Sequence, residues 1–171
     1  KAFKIASTDN NNIKLLAHIA KKKIPIILST GMMDMKTLEQ SIKIIKKNKN
    51  FKISILQCTS NYPCSLENTN LSLIKEFQKK FKMPVGYSDH TEGNLASIVA
   101  TSLGASIIEK HFTLDKKLPG PDHVMSMSPK ELKQFIFEIK NMSKLLGEKN
   151  KTVLPCETEN FKKLKKSLVS K

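Results

Sequence analysis

Gly86–Phe112 reads GYSDHTEGNLASIVATSLGASIIEKHF: two short apolar runs, each closing on a histidine, with an apolar segment of helical length between them. A strand, a helix and a second strand account for this pattern. If the strands are parallel neighbours, His90 and His111 emerge together at the carboxyl edge of the sheet, where α/β folds place their chemistry. The period of two within Glu109–His111 sets Glu109 and His111 on one face and Lys110 on the other. A metal site is therefore the first hypothesis.

Outward from this unit the same alternation repeats. Further β-type runs lie at Ala2–Ala6, Pro25–Thr30 and Ile53–Cys58, with the two around the histidines at Pro84–Ser88 and Ser106–His111. Thr37–Ile45 and Leu71–Phe81 show the three-and-four apolar spacing of helices covered on one side, and Leu95–Leu103 is apolar enough to be well covered. Strand plus helix at this period is the βα unit of a parallel sheet. The clearest helix start is Ser128-Pro129-Lys130-Glu131, with serine at N-cap, proline at N1 and glutamate at N3. Its apolar stripe is Leu132, Phe135, Ile136, Ile139, Met142 and Leu146, and Gly147 is its stop signal. Residues 1–147 are thus expected to form five βα units, and 148–171 a charged peripheral tail. Five units do not close an eight-stranded barrel, and the chain reaches a β-type run at its second residue, so it is expected to be part of a longer protein.

The 171 residues carry a formal charge of +15, but all 30 basic residues are lysines, spread over helical faces without interleaved aromatics. Arginine, which reads base edges and forks onto phosphate, is missing, so the charge reads as compositional bias rather than a nucleic-acid footprint. No run reaches the length of a membrane span and no signal segment is visible, so a cytoplasmic protein is expected. Cys58, Cys64 and Cys156 form no CxxC pair, which argues against a disulfide framework.

Every β-type run ends in polar residues: Lys4 to Asp9, Ser29-Thr30-Gly31, Thr59-Ser60-Asn61-Tyr62, Ser88-Asp89-His90 and Glu109-Lys110-His111. In a parallel sheet these clusters face one mouth. Lys4, Ser7, Ser29, Thr30 and Ser88 supply a cation and hydroxyls, and the Gly31 amide is approachable, which together suit a phosphate or carboxylate. Two neutral imidazoles suit a divalent ion that keeps water or substrate oxygens in its remaining positions, with Glu109 beside it. The stiff loop Leu118–His123 presents Asp122 to the same mouth. His18 reads as surface, and His123 is open to either role.

FKIAS at Phe3–Ser7, ILSTGM at Ile27–Met32, CTSNYP at Cys58–Pro63, GYSDHTEG at Gly86–Gly93, GASIIEKHFTLD at Gly104–Asp115 and PGPDH at Pro119–His123 together resemble the N-acetylneuraminate (sialic acid) synthase family, which includes the legionaminic and pseudaminic acid synthases. The resemblance implies an α/β fold, part of a TIM (β/α)8 barrel, with this chain supplying strands four to eight. It also implies three further strands, a C-terminal antifreeze-like domain towards which Lys165–Ser170 leads, and a homodimer in which that domain reaches the partner's sugar site. The implied reaction condenses phosphoenolpyruvate with an N-acylhexosamine, N-acetylmannosamine or a 6-deoxy diacetamido relative, to a nine-carbon 2-keto acid and phosphate. Carried over residue by residue, Lys4, Ser7, Ser29, Thr30, Gly31, Ser60 and Ser88 match positions that hold phosphoenolpyruvate. His90 and His111 match ligands of Mn2+ or Mg2+, and Asp9, Tyr62, Glu109 and Asp122 match sugar-side or acid/base positions. Asp9 stands where glutamate is common, and Ser60 where some members use asparagine. The PGPDH loop and HFTLD segment lean towards the neuraminic or legionaminic branch. The competing readings are a 3-deoxy-ulosonate synthase using a phosphorylated sugar, and an inactive fragment or lysine-rich binding module.

Overall fold

The structure, a computed structural model, describes residues 1–147 and 150–166. Among them are five strands, β1 (Phe3–Ile5), β2 (Ile26–Ser29), β3 (Ile53–Cys58), β4 (Val85–Asp89) and β5 (Ile108–Lys110). All neighbours are parallel and the spatial order is the chain order, β1-β2-β3-β4-β5. A doubly wound sheet would reverse its order part-way along; a constant direction of crossover keeps every helix on one face. The chain is therefore a half-barrel of parallel strands with its helices outside.

Register explains which residues meet the helices. Ile5, Leu28, Ile55 and Val85 form one row across β1 to β4, and all four are buried in the core. Leu16 and Ala20 from α1 (Ile13–Lys21), Leu38, Ile42 and Ile45 from α2 (Met35–Lys47), Ile74 and Phe77 from α3 (Leu73–Phe81), and Ala96 and Ala100 from α4 (Leu95–Ser102) pack on the same face. Strand periodicity sends the alternate residues inward, so Cys58, Ser88 and Glu109 lie side by side across β3, β4 and β5. The inner face is tight at Gly86, where a Cβ would overlap the Ile107 carbonyl and the Leu56 side chain.

Helix starts follow short-range chemistry. Asn12 caps α1 by accepting from the Leu15 amide, and Asp34 caps α2 through the Thr37 amide. The expected capping box is present at α5 (Pro129–Leu146): Ser128 accepts from the Glu131 amide, and the Glu131 carboxylate accepts from the Ser128 amide at 2.7 Å. The apolar stripe of α5 is narrower than its sequence suggested. Phe135 and Met142 are buried, but Ile136 and Leu146 stay exposed because α5 has α4 as its packing partner. Beyond it, Pro155–Glu157 forms a single 3-10 turn leading into α6 (Thr158–Leu164), and every described residue from 150 to 166 is exposed. The segment from Lys165 towards Ser170 lies largely outside the described residues.

Candidate active site

The polar ends of the five strands do converge. Lys4, Ser7, Ser29, Ser60, Tyr62, Ser88, His90, Glu109 and His111 line one cavity of about 330 Å³ at the carboxyl edge of the sheet. A larger groove of about 900 Å³, between the start of α4, β5 and α5, holds none of the candidate residues.

One network runs across the cavity floor. Lys4 Nζ donates to Ser29 Oγ at 2.9 Å and pairs with Glu109 Oε1 at 3.2 Å. Ser88 Oγ donates to the same Glu109 oxygen at 2.8 Å and lies 3.4 Å from His90 Nε2. A single carboxylate oxygen thus joins the cation of β1 to the hydroxyl of β4. Ser7 Oγ accepts from the Gly31 amide at 3.1 Å, so that amide is already engaged. A side chain at Gly31 would overlap the hydroxyls of both Ser7 and Ser60, which would have to turn away from their present places.

The histidines sit just past the last ladder residues, His90 after β4 and His111 after β5. The carbonyl of Thr59 can only accept, so its 2.8 Å contact with His90 Nδ1 places the proton on that nitrogen and leaves Nε2 as the lone-pair atom towards Ser88. Burial lowers the His90 pKa below the ordinary histidine value, outweighing the Thr59 hydrogen bond that acts the other way. The two imidazole centroids are 5.6 Å apart at 64°. His111 is held through its backbone, whose carbonyl accepts from the Met127 amide at 2.9 Å. Tyr62 lies over both rings, 4.1 Å from His90 and edge-on at 5.6 Å from His111. Burial raises its phenol pKa, so the hydroxyl stays protonated at neutral pH.

Among the described residues no three His, Cys, Asp or Glu side chains gather as a metal-ligand set. The donor chemistry nevertheless fits an ion with open positions: a neutral imidazole whose far nitrogen is fixed on a backbone carbonyl is the usual supported form of a histidine ligand. Oxygens from water or substrate would complete the shell.

Four predicted residues stand apart from the cavity lining. The Thr30 hydroxyl donates to the Leu56 carbonyl at 2.9 Å, bracing β2 against β3. Gly31 supplies close approach. Asp9 is exposed in the turn after β1, its carboxylate 3.5 Å from the Thr8 hydroxyl. Asp122 is exposed, with Oδ2 3.9 Å from His111 Nδ1. His123, open in the sequence, bonds through Nδ1 with the Thr113 hydroxyl at 2.7 Å and so fastens the loop that bears Asp122.

Two contributors were not visible beforehand. Asn10, 2% exposed, donates from Nδ2 to the carbonyls of Ser29 and Gly31 and so shapes the loop after β2; residue type in a run of three asparagines does not tell which one turns inward. The Thr59 carbonyl orients His90, and a backbone acceptor leaves no trace in residue type.

The NeuB family profile matches residues 1–151. The chain is 42% identical over 173 residues to N,N'-diacetyllegionaminic acid synthase of Campylobacter jejuni, covering 100% of this chain and 52% of that protein. It is 43% identical to human N-acetylneuraminate-9-phosphate synthase, covering 99% of this chain and 47% of that protein. The crystal structure of N-acetylneuraminic acid (sialic acid) synthetase from Leptospira borgpetersenii in complex with citrate superposes with a TM-score of 0.86 at 37% identity, over 95% of this chain and 56% of that one. The chain thus spans about half the length of the relatives it matches. The parallel half-barrel, its converging strand ends and these likenesses agree: the chain belongs to the NeuB family of sialic-acid-type synthases.

Proposed function

We propose that this chain carries the phosphoenolpyruvate-binding and acid/base half of a synthase that joins phosphoenolpyruvate to an open-chain N-acylhexosamine, forming a nine-carbon 2-keto acid and releasing phosphate. The observation that carries the reading is the network joining Lys4, Glu109 and Ser88, with the His90 Nε2 lone pair beside it, within one cavity. Lys4, Ser29 and Ser88 give an anion one cation and two hydroxyls, and an incoming phosphate or carboxylate takes the place Glu109 holds on Lys4. Glu109, displaced but still beside Ser88, is then free to hold or release a proton at Oε1 as the enol carbon joins the aldehyde and water adds at C2. Tyr62 covers the imidazoles and restricts water on that side. His90 and His111 would hold Mn2+ or Mg2+, which when bound supplies Lewis-acid polarisation of the aldehyde oxygen.

Among the described residues Lys4 is the lone lysine in the cavity lining, enough for the phosphate of phosphoenolpyruvate, and the reading takes a sugar without its own phosphate over the ulosonate alternative. The whole protein, with a completed barrel, an antifreeze-like domain towards which the 148–171 tail leads, and a dimeric, cytoplasmic state, belongs to the same proposal. A chimera tests it: residues 1–171 replace the matching half of the Campylobacter jejuni relative. Phosphate release and 2-keto acid formation are then followed with phosphoenolpyruvate and N-acetylmannosamine, its 6-phosphate, or a 6-deoxy diacetamido hexosamine. Turnover with an unphosphorylated sugar is expected. A folded chimera that binds phosphoenolpyruvate without making product, or uses only the phosphorylated sugar, would overturn the assignment.

A further inference from the structure

Directly behind the two histidines, on the helix side of the same strands, lies a second polar cluster that the proposed chemistry does not use. Asp89 and Lys110 are register partners, the last residues of β4 and β5. Their side chains are 0% and 6% exposed and form an ion pair at 3.0 Å. Asp89 Oδ1 accepts from the Thr91 amide and the Thr91 hydroxyl, both at 2.8 Å. Its Oδ2 accepts from Ser97 Oγ of α4 at 2.5 Å. Lys110 Nζ also donates to the Thr91 carbonyl at 2.7 Å.

Burying an ion pair is a poor way to gain stability, because desolvation offsets the attraction and an apolar pair of similar volume does as well. The placement points elsewhere. The ladder ends at Asp89 and Lys110, and the imidazoles hang one residue beyond it. The cluster grips the backbone on both sides of His90, at Asp89 and Thr91, and grips Lys110 between Glu109 and His111. Alternation along the strands makes the coupling direct, since a shift of Lys110 outward carries Glu109 and His111 with it. Ser97 ties the assembly to α4, which is packed in the core.

We infer that Asp89 and Lys110, with Thr91 and Ser97, are positioning residues that set the separation and direction of His90 and His111. This rests on the reading of those imidazoles as a divalent-cation site. The test measures Mn2+ binding by electron paramagnetic resonance, phosphoenolpyruvate binding by calorimetry, and melting temperature, in the unsubstituted protein and in Lys110→Met, Lys110→Arg and the charge-balanced pair Asp89→Asn/Lys110→Met. Removal of such supporting groups typically weakens metal binding about 10- to 100-fold. That loss is expected in Lys110→Met, with phosphoenolpyruvate binding through Lys4 and Ser29 largely kept and Mn2+ affinity regained in Lys110→Arg, whose guanidinium can bond both Asp89 and the Thr91 carbonyl. If Lys110→Met does not fold, the paired variant, which leaves no lone buried charge, carries the same comparison. Unchanged Mn2+ affinity in the variants overturns the positioning role alone. A parallel fall of both affinities with melting temperature reduces the cluster to a structural one and also overturns it. An unsubstituted protein that binds phosphoenolpyruvate but no Mn2+ removes the cation site and the positioning role together.

Discussion

Glu109 serves two strands at once, accepting from Lys4 of β1 and Ser88 of β4 through one oxygen. Removing Lys4 takes away the cavity's cation. In the active chimera, Lys4→Ala is expected to raise the apparent KM for phosphoenolpyruvate about 10- to 100-fold, the worth of a charge-assisted hydrogen bond; steady-state kinetics decide it, and an unchanged KM would remove Lys4 from the cradle. His90→Ala or His111→Ala should abolish metal-dependent product formation, while full turnover of the parent in chelating buffer would refute the cation site. Gly86 makes a different demand, because any Cβ there meets the Ile107 carbonyl just before β5 and the Leu56 side chain. Gly86→Ala is expected to cost about 1–3 kcal/mol, as overpacking does, read from urea unfolding.

Among the elements, α5 has the start most completely specified by its own sequence. Ser128→Ala should cost about 1 kcal/mol by leaving the Glu131 amide without its cap. Glu131 also responds to pH. Hydrogen bonds from Lys116 and then Ser128 lower its pKa from 4.5 to about 2. Its folded value lies below its unfolded one, so its contribution is full above about pH 4.5 and fades as the pH falls towards 2. The group is half-exposed, so the effect is modest. Melting curves across that window should show a smaller acid loss in Glu131→Gln than in the parent; equal losses would mean the capping carboxylate does not titrate as described. The strands were legible because their apolar runs are bounded by polar clusters, and the inward turn of Glu109 and His111 followed from alternation alone. Less legible was α5's outer face: periodicity marks which residues can be covered, whereas Ile136 and Leu146 needed a neighbour to cover them. Thr30 shows the same limit at the site, since residue type announced a hydroxyl but not that a β3 carbonyl would claim it.

For the whole molecule, the single winding direction makes the core one continuous layer between sheet and helices. Ile55 lies at its centre, fully buried between Leu28 and Val85. Ile55→Ala is expected to cost about 2–5 kcal/mol in chemical denaturation, and a cost below about 1 kcal/mol would mean that this layer closes around the gap. Nine of the candidate side chains were legible from sequence as neighbours, because strand ends of a parallel sheet must meet; Asp9, Thr30, Gly31 and Asp122 lie outside that lining. The site's supports were not legible, since the Thr59 carbonyl and the Asp89–Lys110 pair acquire their roles only through tertiary contact. In β4, Ser88 serves the cavity while Tyr87 and Asp89 serve the buried layer behind it. Residues can be exchanged one at a time within this strand, but its length is fixed. Inserting or deleting one residue between Val85 and Asp89 would exchange the two faces, turning the Ser88 hydroxyl into the core and a tyrosine into the cavity.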